Sequence, residues 1–421
     1  MNVRVSACRA IEALRAGVPN RDAVSALGCS AQEVLGVFDA RLAELRGSVV
    51  GGSQPRGMLV AADFGGGKSH VLEYLSHKSR QENFAVSKVV ISKETQLFDP
   101  LKVFRAAVDS LVCENVVGDA LRDIAVSRLS TQRPRFAEFN LWLRDSGLNS
   151  RFAATTWLFE QAGADTEIQD DLVGFWEGDA IQVGHLREGL RQTGDAKRFA
   201  LEKIAIKDLA RQRFKFMARL LRAAGYDGWV ILLDEIELMG RYTVLQRGRA
   251  YAELARLLGL RDEHAIPGLL AVGAITPDFA SAVIDEKDDR NQIGFRFRLR
   301  GDPESDLTAA LAESAMDAVD RELLRLREPS QDDLEEVLAT LAVIYATAYD
   351  CAPATLDASL KTGQQMREYI RSWITTWDLN RVAPTYEPVI EVQHIADDYA
   401  EDALLEKAGD EDEPGDQAAT S

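Results

Sequence analysis

A glycine-rich stretch that ends in lysine and serine is the part of this sequence best suited to chemistry. It reads Phe64-Gly65-Gly66-Gly67-Lys68-Ser69-His70. An apolar run precedes it at 57–60, and a helical pattern follows at 71–75. Glycines let successive backbone N–H groups converge on phosphate oxygens, and a helix N-terminus adds the positive end of its dipole. We therefore predict a nucleotide site formed by residues 64–70, with Lys68 on the outer phosphates and the Ser69 hydroxyl on Mg²⁺.

One position departs from the full phosphate-loop pattern. The pattern G-x-x-x-x-G-K-[ST] places glycine at position 62, where this chain has Ala62. The alternative interpretation is a flexible glycine turn that happens to precede Lys-Ser. Because Gly65, Gly67, Lys68 and Ser69 keep the core of the pattern, we expect nucleotide binding, and Ala62 bears only on whether turnover is rapid.

A pair of carboxylates follows a later apolar run. The run Trp229-Val230-Ile231-Leu232-Leu233 ends in Asp234-Glu235. Ligands of parallel sheets gather at the carboxyl ends of the strands, so this pair is predicted to lie beside the phosphate loop. Asp234 is suited to hold Mg²⁺ together with Ser69, and Glu235 to orient and deprotonate the attacking water. The alternative is an acidic turn without a chemical role, since Glu237 follows closely.

Composition narrows the class of protein. The chain has 421 residues, 46% of them hydrophobic and 28% charged, as in ordinary globular proteins. No apolar run is long enough to span a membrane, no signal-peptide pattern begins the chain, and its four cysteines form no C-x-x-C pair. We therefore expect a cytoplasmic chain with free thiols.

The net charge of −18 is unevenly distributed. Residues 401–421 contain eight acids and one base, a net charge of −7, which leaves −11 on the rest. An acidic body disfavours DNA binding over the whole surface, although it leaves room for a local basic groove. The acidic, Gly/Pro-containing tail is predicted to be disordered.

Alternating strands and helices predict an α/β fold with a parallel sheet. Strands are predicted at 57–60, 85–92, 229–233 and 269–275, and a half-exposed edge strand at 295–300, where apolar residues alternate with arginines. The predicted organisation is an N-terminal helical segment (1–47), a core (48–300) with a helical insertion at about 115–225, a helical domain (301–400) and the tail (401–421).

The order of these motifs resembles the AAA+ ATPases and related additional-strand P-loop enzymes. In that class the strand after the Asp-Glu strand ends in a polar "sensor 1" residue near the γ-phosphate, and Thr276 takes this place, with Asp278 as a second candidate. The helical domain resembles the AAA+ lid, whose "sensor 2" arginine reaches the nucleotide. Arg367 matches that position, and Arg371 is the substitute. For an arginine finger the candidates Arg290, Arg296, Arg298 and Arg300 stay open.

A narrower resemblance covers roughly residues 5–385. Residues 9–19, 64–70 and 86–95 are similar to the ATP-binding proteins of bacterial BREX phage-defence loci, the BrxD-like group. The resemblance implies ATP and Mg²⁺ as cofactors, a helicase-like defence protein as partner, and DNA bound directly or through that partner. It leaves a homo-oligomer open and implies no membrane. Two alternatives remain: a scaffold gated by ATP with negligible turnover, and a DNA-binding loader or translocation ring.

Overall fold

The computed structural model describes residues 2–63, 65–114, 116, 119–129, 133–162, 166–359, 364–383, 399 and 401–402. In this part of the chain, a five-stranded sheet organises the fold. Its strands are β1 (Met58–Ala61), β2 (Ala85–Val90), β3 (Trp229–Asp234), β4 (Leu269–Ile275) and β5 (Leu323–Arg325), in the order β2-β3-β4-β1-β5. All four strand pairs are parallel. The predicted parallel α/β sheet is therefore confirmed.

Helices surround this sheet in groups that follow the chain. The first three precede the sheet: α1 (Val3–Ala16), α2 (Arg21–Leu27) and α3 (Gln32–Gly51). Two follow β1 and β2, namely α4 (Lys68–Gln81) and α5 (Pro100–Asp109). The predicted insertion contains α6 (Ala120–Arg128), α7 (Pro134–Asp145), α8 (Ser150–Ala162), α9 (Thr166–Glu177), α10 (Val183–Gln192) and α11 (Ile206–Ala223). The remainder are α12 (Val244–Leu257), α13 (Asp289–Arg298), α14 (Pro303–Arg321), α15 (Gln331–Tyr349) and α16 (Met366–Val382).

The sheet is buried on both faces, which explains its unbroken apolar strands. Along β3, Val230 and Leu232 pack in one cluster with residues of α3 and α4. The intervening Ile231 and Leu233 pack in a second cluster with residues of the insertion and of α12. Successive side chains of a strand point to opposite faces, so both sets must be apolar. The strands thus fix the carboxyl edge at which the predicted site residues emerge.

A third cluster joins the two ends of the described chain. Ile11 and Leu14 of α1 pack with Tyr345 of α15 and with Trp373 and Ile374 of α16. Helix α2 contacts both α4 and α15, so it lies between the phosphate-loop helix and the C-terminal helices. The domain boundaries given above stay a prediction, but the N-terminal helices share a core with the predicted lid.

The edge strand predicted at 295–300 is wrong. Residues 289–298 form helix α13, in which Ile293 and Phe297 are buried four residues apart. Phe295 and Leu299, assigned by the alternation to a buried face, are 63% and 68% exposed. Buried positions at i and i+4 define a helix face, and in a short segment rich in arginine this spacing is masked by the alternation of apolar and charged residues.

The described helices are too short or too polar to match the length and hydropathy that a bilayer requires. Among them, none combines 18 or more residues with the apolar character needed to cross it.

Candidate functional site

The loop after β1 has the backbone that a phosphate cradle requires. Gly65 and Gly67 have φ angles of +77° and +98°, in the left-handed region that favours glycine. Gly67 immediately precedes α4, so the loop ends at a helix N-terminus. Gly66 N donates to Asp63 O at 3.0 Å, which closes the turn. Phe64 lies outside the described residues.

Lys68 is the buried cation of this loop. Its Nζ donates to Ala62 O at 2.7 Å and lies 3.3 Å from Glu237 Oε1. The contact to position 62 uses a backbone carbonyl, which alanine and glycine both provide. The missing first glycine therefore does not disturb the position of the lysine.

Ser69 contacts Asp234, a residue that is distant in the sequence. The Ser69 hydroxyl donates to Asp234 Oδ2 at 3.2 Å, although the residues are separated by 165 positions. Strand β3 brings the carboxylate there, because Asp234 is its last residue. Lys88 of β2 approaches the same oxygen at 3.9 Å. A hydroxyl and a carboxylate at one point are oxygen ligands of the type that Mg²⁺ takes together with phosphate. The predicted Mg²⁺ ligands therefore fit the ion.

Glu235 adopts a backbone conformation that is rare for its residue type. Its φ is +61°, in the left-handed region, and its N–H donates to Asp234 Oδ1 at 3.1 Å. Such strain of a non-glycine residue concentrates at functional sites. The residue is half-buried and directly follows Asp234 at the end of β3, where a general base is expected.

Glu237 is a site residue for which the sequence suggested no role. It is 2% exposed, and neither carboxylate oxygen has a hydrogen-bond partner, so the ion pair with Lys68 is its polar contact. Burial raises the pKa of Glu237 to about 7, and the Lys68 ammonium opposes only part of this effect. The structure thus places a buried carboxylate beside the lysine of the phosphate loop.

Thr276 follows the last residue of β4, at the same carboxyl edge. Its side chain is 1% exposed, and its Oγ1 lies 2.8 Å from the hydroxyl oxygen of Tyr399. The same tyrosine hydroxyl donates to Asp278 Oδ1 at 3.3 Å. Both sensor 1 candidates therefore contact a residue more than 120 positions away.

Arg367 lies at the start of α16, next to the glycine loop. A β-carbon on Gly65 would lie 3.4 Å from Gln365 Cβ and 3.9 Å from Arg367 Cβ. The Arg367 side chain extends over α1, because a β-carbon on Gly17 would lie 3.3 Å from its Cδ. The helix thus brings Arg367 to the loop, while its guanidinium group is directed towards the end of α1. Residues 360–363, shortly before this helix, lie outside the described residues.

The remaining predicted residues have other partners. His70 Nε2 lies 2.7 Å from Gly28 O at the end of α2, and burial lowers the pKa of this imidazole. The arginine-finger candidates lie on or just after α13 instead of a strand. Arg290 pairs with Asp320 and Arg298 with Glu313, whereas Arg296 bonds to Gln292 and Arg300 lies over the Phe297 ring.

A separate cavity of about 270 Å³ lies between the insertion and α12. Residues of α11, of α12 and of the loop before β4 line it, and no residue of the phosphate loop does. It is therefore not part of the predicted nucleotide site.

Together, these features define an α/β protein with an all-parallel sheet, compatible with a P-loop fold. A family model described as "BREX system ATP-binding protein BrxC/D" matches residues 4–133 and 183–372. The matched residues make up most of the chain, so it belongs to this family of ATP-binding proteins of BREX defence. The predicted BrxD-like membership is thereby confirmed. Comparison with curated proteins and with solved structures gave no match.

Proposed function

We propose that this chain binds ATP with Mg²⁺ at the loop of residues 64–70 and hydrolyses it, as an AAA+-type ATPase of a BREX defence complex. One observation carries the proposal: Ser69 and Asp234 meet at 3.2 Å directly beside the glycine loop and Lys68. These residues come from two different strand ends, so a chance glycine turn does not explain their convergence. Bound Mg-ATP would supply the scissile phosphoanhydride and a divalent cation that offsets the charge of its phosphates.

The side chains divide the work by their chemistry. The N–H groups of the glycine loop and the N-terminus of α4 bind phosphate oxygens, and Lys68 neutralises phosphate charge. Ser69 and Asp234 would hold the metal with their side-chain oxygens. Glu235 accepts the proton of the attacking water, and its backbone is held by Asp234.

The sheet order supports the AAA+ assignment. Strand β4 lies between β1, which carries the phosphate loop, and β3, which ends in Asp234. Thr276 directly follows the last residue of β4. It therefore lies between the phosphate loop and Asp234-Glu235, where a sensor of the γ-phosphate is needed. Arg367 lies at the start of α16 beside Gly65, and its guanidinium group would serve as sensor 2 once it leaves its position over Gly17.

In this proposal ATP turnover drives rearrangement of a complex with a helicase-like, DNA-associated partner. The net charge of −18 favours DNA contact through that partner over a broad basic surface on this chain. A scaffold gated by ATP with negligible turnover is the second candidate. It is favoured by the Thr276 hydroxyl, which already has a hydrogen-bond partner in Tyr399.

Binding and turnover, measured separately, test the proposal. Glu235→Gln should retain ATP binding and lose turnover by about 100-fold, the usual contribution of a general base. Glu82→Gln is the matched control, because Glu82 forms surface ion pairs with Arg46 and Lys78. If wild-type turnover is already as low as that of Glu235→Gln while ATP binds, the chain is the scaffold. If neither protein binds ATP, the proposed function is wrong.

A further inference from the structure

Three residues near the C-terminus lie across the carboxyl edge of the sheet. We call Tyr399, Glu401 and Asp402 the C-terminal clasp. Its contacts lie on the segments that follow three of the strands. Asp402 pairs at 2.7 Å with Lys93, which follows β2, and its N–H donates at 3.1 Å to the carbonyl oxygen of Arg241, which follows β3. Beyond β4, Lys287 Nζ donates to Tyr399 O at 2.6 Å. The clasp therefore spans the edge at which the nucleotide residues emerge.

The hydroxyl of Tyr399 fixes the direction of the Thr276 hydroxyl. Asp278 Oδ1 is a carboxylate oxygen and can only accept, so Tyr399 donates its single proton there. Thr276 must then donate its own proton to the Tyr399 oxygen, 2.8 Å away. A threonine hydroxyl has one proton. In this arrangement Thr276 has no donor left for a phosphate oxygen.

We propose that Tyr399 is a positioning residue that withholds the Thr276 hydroxyl from the nucleotide, and that the clasp must release before Thr276 can bind the γ-phosphate. This inference rests on the proposed function, because it takes the phosphate site and the role of Thr276 from it. The clasp thus competes with the γ-phosphate for the Thr276 hydroxyl, and it belongs to the same chain.

The attachment of the clasp is suited to release. Glu401 contacts Arg247, but that buried arginine also binds Asp289 at 2.7 Å and Tyr242 O, so departure of Glu401 leaves no unpaired buried charge. The ion pair of Asp402 is formed with a largely exposed Lys93, and exposed pairs contribute little. Tyr399 itself packs edge-on against Phe279 with ring centroids 6.4 Å apart.

Competition predicts a selectivity that a merely structural role does not. Only a nucleotide with a γ-phosphate needs the Thr276 hydroxyl, so the clasp should weaken the binding of ATP and leave that of ADP unchanged. Binding linkage is reciprocal, so a non-hydrolysable ATP analogue should loosen the clasp by the same factor, whereas ADP should not.

The test compares Tyr399→Phe with wild-type full-length chain. Loss of the hydrogen bond between Thr276 and Tyr399 should tighten binding of the ATP analogue roughly fivefold, with ADP affinity unchanged. Tyr349→Phe, which removes a hydroxyl bonded to Arg15 and Glu12 far from the sheet edge, is the matched control. Hydrogen exchange of the peptide that covers residues 399–402 should accelerate with the analogue and not with ADP.

A second variant distinguishes release of the clasp from a local packing defect at position 399. Glu401→Gln with Asp402→Asn keeps Tyr399 and removes two anchors, so it should shift ATP-analogue affinity in the same direction by a smaller factor. If wild type binds both nucleotides but neither variant changes their ratio and exchange is unaltered, the clasp inference is overturned while the proposed function stands. If wild type binds neither nucleotide, both fail.

Discussion

The two ends of the candidate site differ in how their side chains are held. At the phosphate end, Lys68 pairs with Glu237, and Ser69 bonds to Asp234. The first partner of each pair begins α4, and the second comes from the end of β3 or the turn after it. At the sensing end, Thr276 contacts Tyr399 and Arg367 extends over Gly17, both far away in sequence. The first end is therefore assembled before a ligand arrives, whereas the second is tied to other parts of the chain. A nucleotide can be bound by the first end without being sensed by the second.

The largest expected effect is a loss of ATP affinity on substitution at the phosphate end. Lys68→Met removes the buried cation and should weaken ATP affinity about 100-fold, in line with loss of a charge-assisted contact. Lys78→Met on the same helix is the matched control, because Lys78 forms surface pairs with Asp39 and Glu82. Equal affinities in a fluorescent-nucleotide titration of the two variants would contradict the role of Lys68.

The next prediction distinguishes binding of the metal ion from binding of the phosphates. Asp234→Asn should reduce the Mg²⁺ dependence of ATP binding roughly 10- to 30-fold and leave metal-free binding almost unchanged, because in the proposed function the Asp234 carboxylate would hold the ion and not the nucleotide. Titration of ATP at several Mg²⁺ concentrations measures this dependence. A uniform loss at all Mg²⁺ concentrations would instead indicate a packing defect.

The sensing end should respond more weakly. Arg367→Ala is expected to lower ATP affinity roughly five- to tenfold, since the guanidinium must leave its position over Gly17 before it contacts phosphate. Arg371→Ala, four residues along the same helix, serves for comparison. If Arg371→Ala has the larger effect, the sensor 2 assignment passes to that residue.

The smallest effect concerns Glu237 and appears as a pH dependence of stability. Its pKa, raised by burial from an ordinary value of 4.5 to about 7, means that the folded chain binds a proton more tightly than the unfolded chain. This contribution is complete below about 4.5 and is lost as pH rises through about 7. Relative to Glu237→Gln, the melting temperature of wild type should therefore fall by a few °C over that range. A pH-independent difference between the two proteins would contradict the assigned pKa.

The phosphate end could be predicted from sequence because its chemistry is local. The Lys68-Ser69 motif and Asp234-Glu235 each follow an apolar strand, and strands β3 and β4 are recognisable because both of their faces are buried. The helix at 295–298 could not be predicted from the alternation over residues 295–300. Its buried face is defined by Ile293 and Phe297, and Ile293 lies outside those six residues. Glu237 and Tyr399 carry no motif, and their roles depend on contacts across the fold.

The central claim is that residues from two strand ends form one magnesium–nucleotide site. Calorimetric titration of the wild-type chain with ATP, with and without Mg²⁺, tests it most directly. We predict one nucleotide per chain with a dissociation constant between roughly 1 µM and 1 mM, tightened by Mg²⁺. No saturable binding at millimolar ATP with Mg²⁺ present would contradict the account.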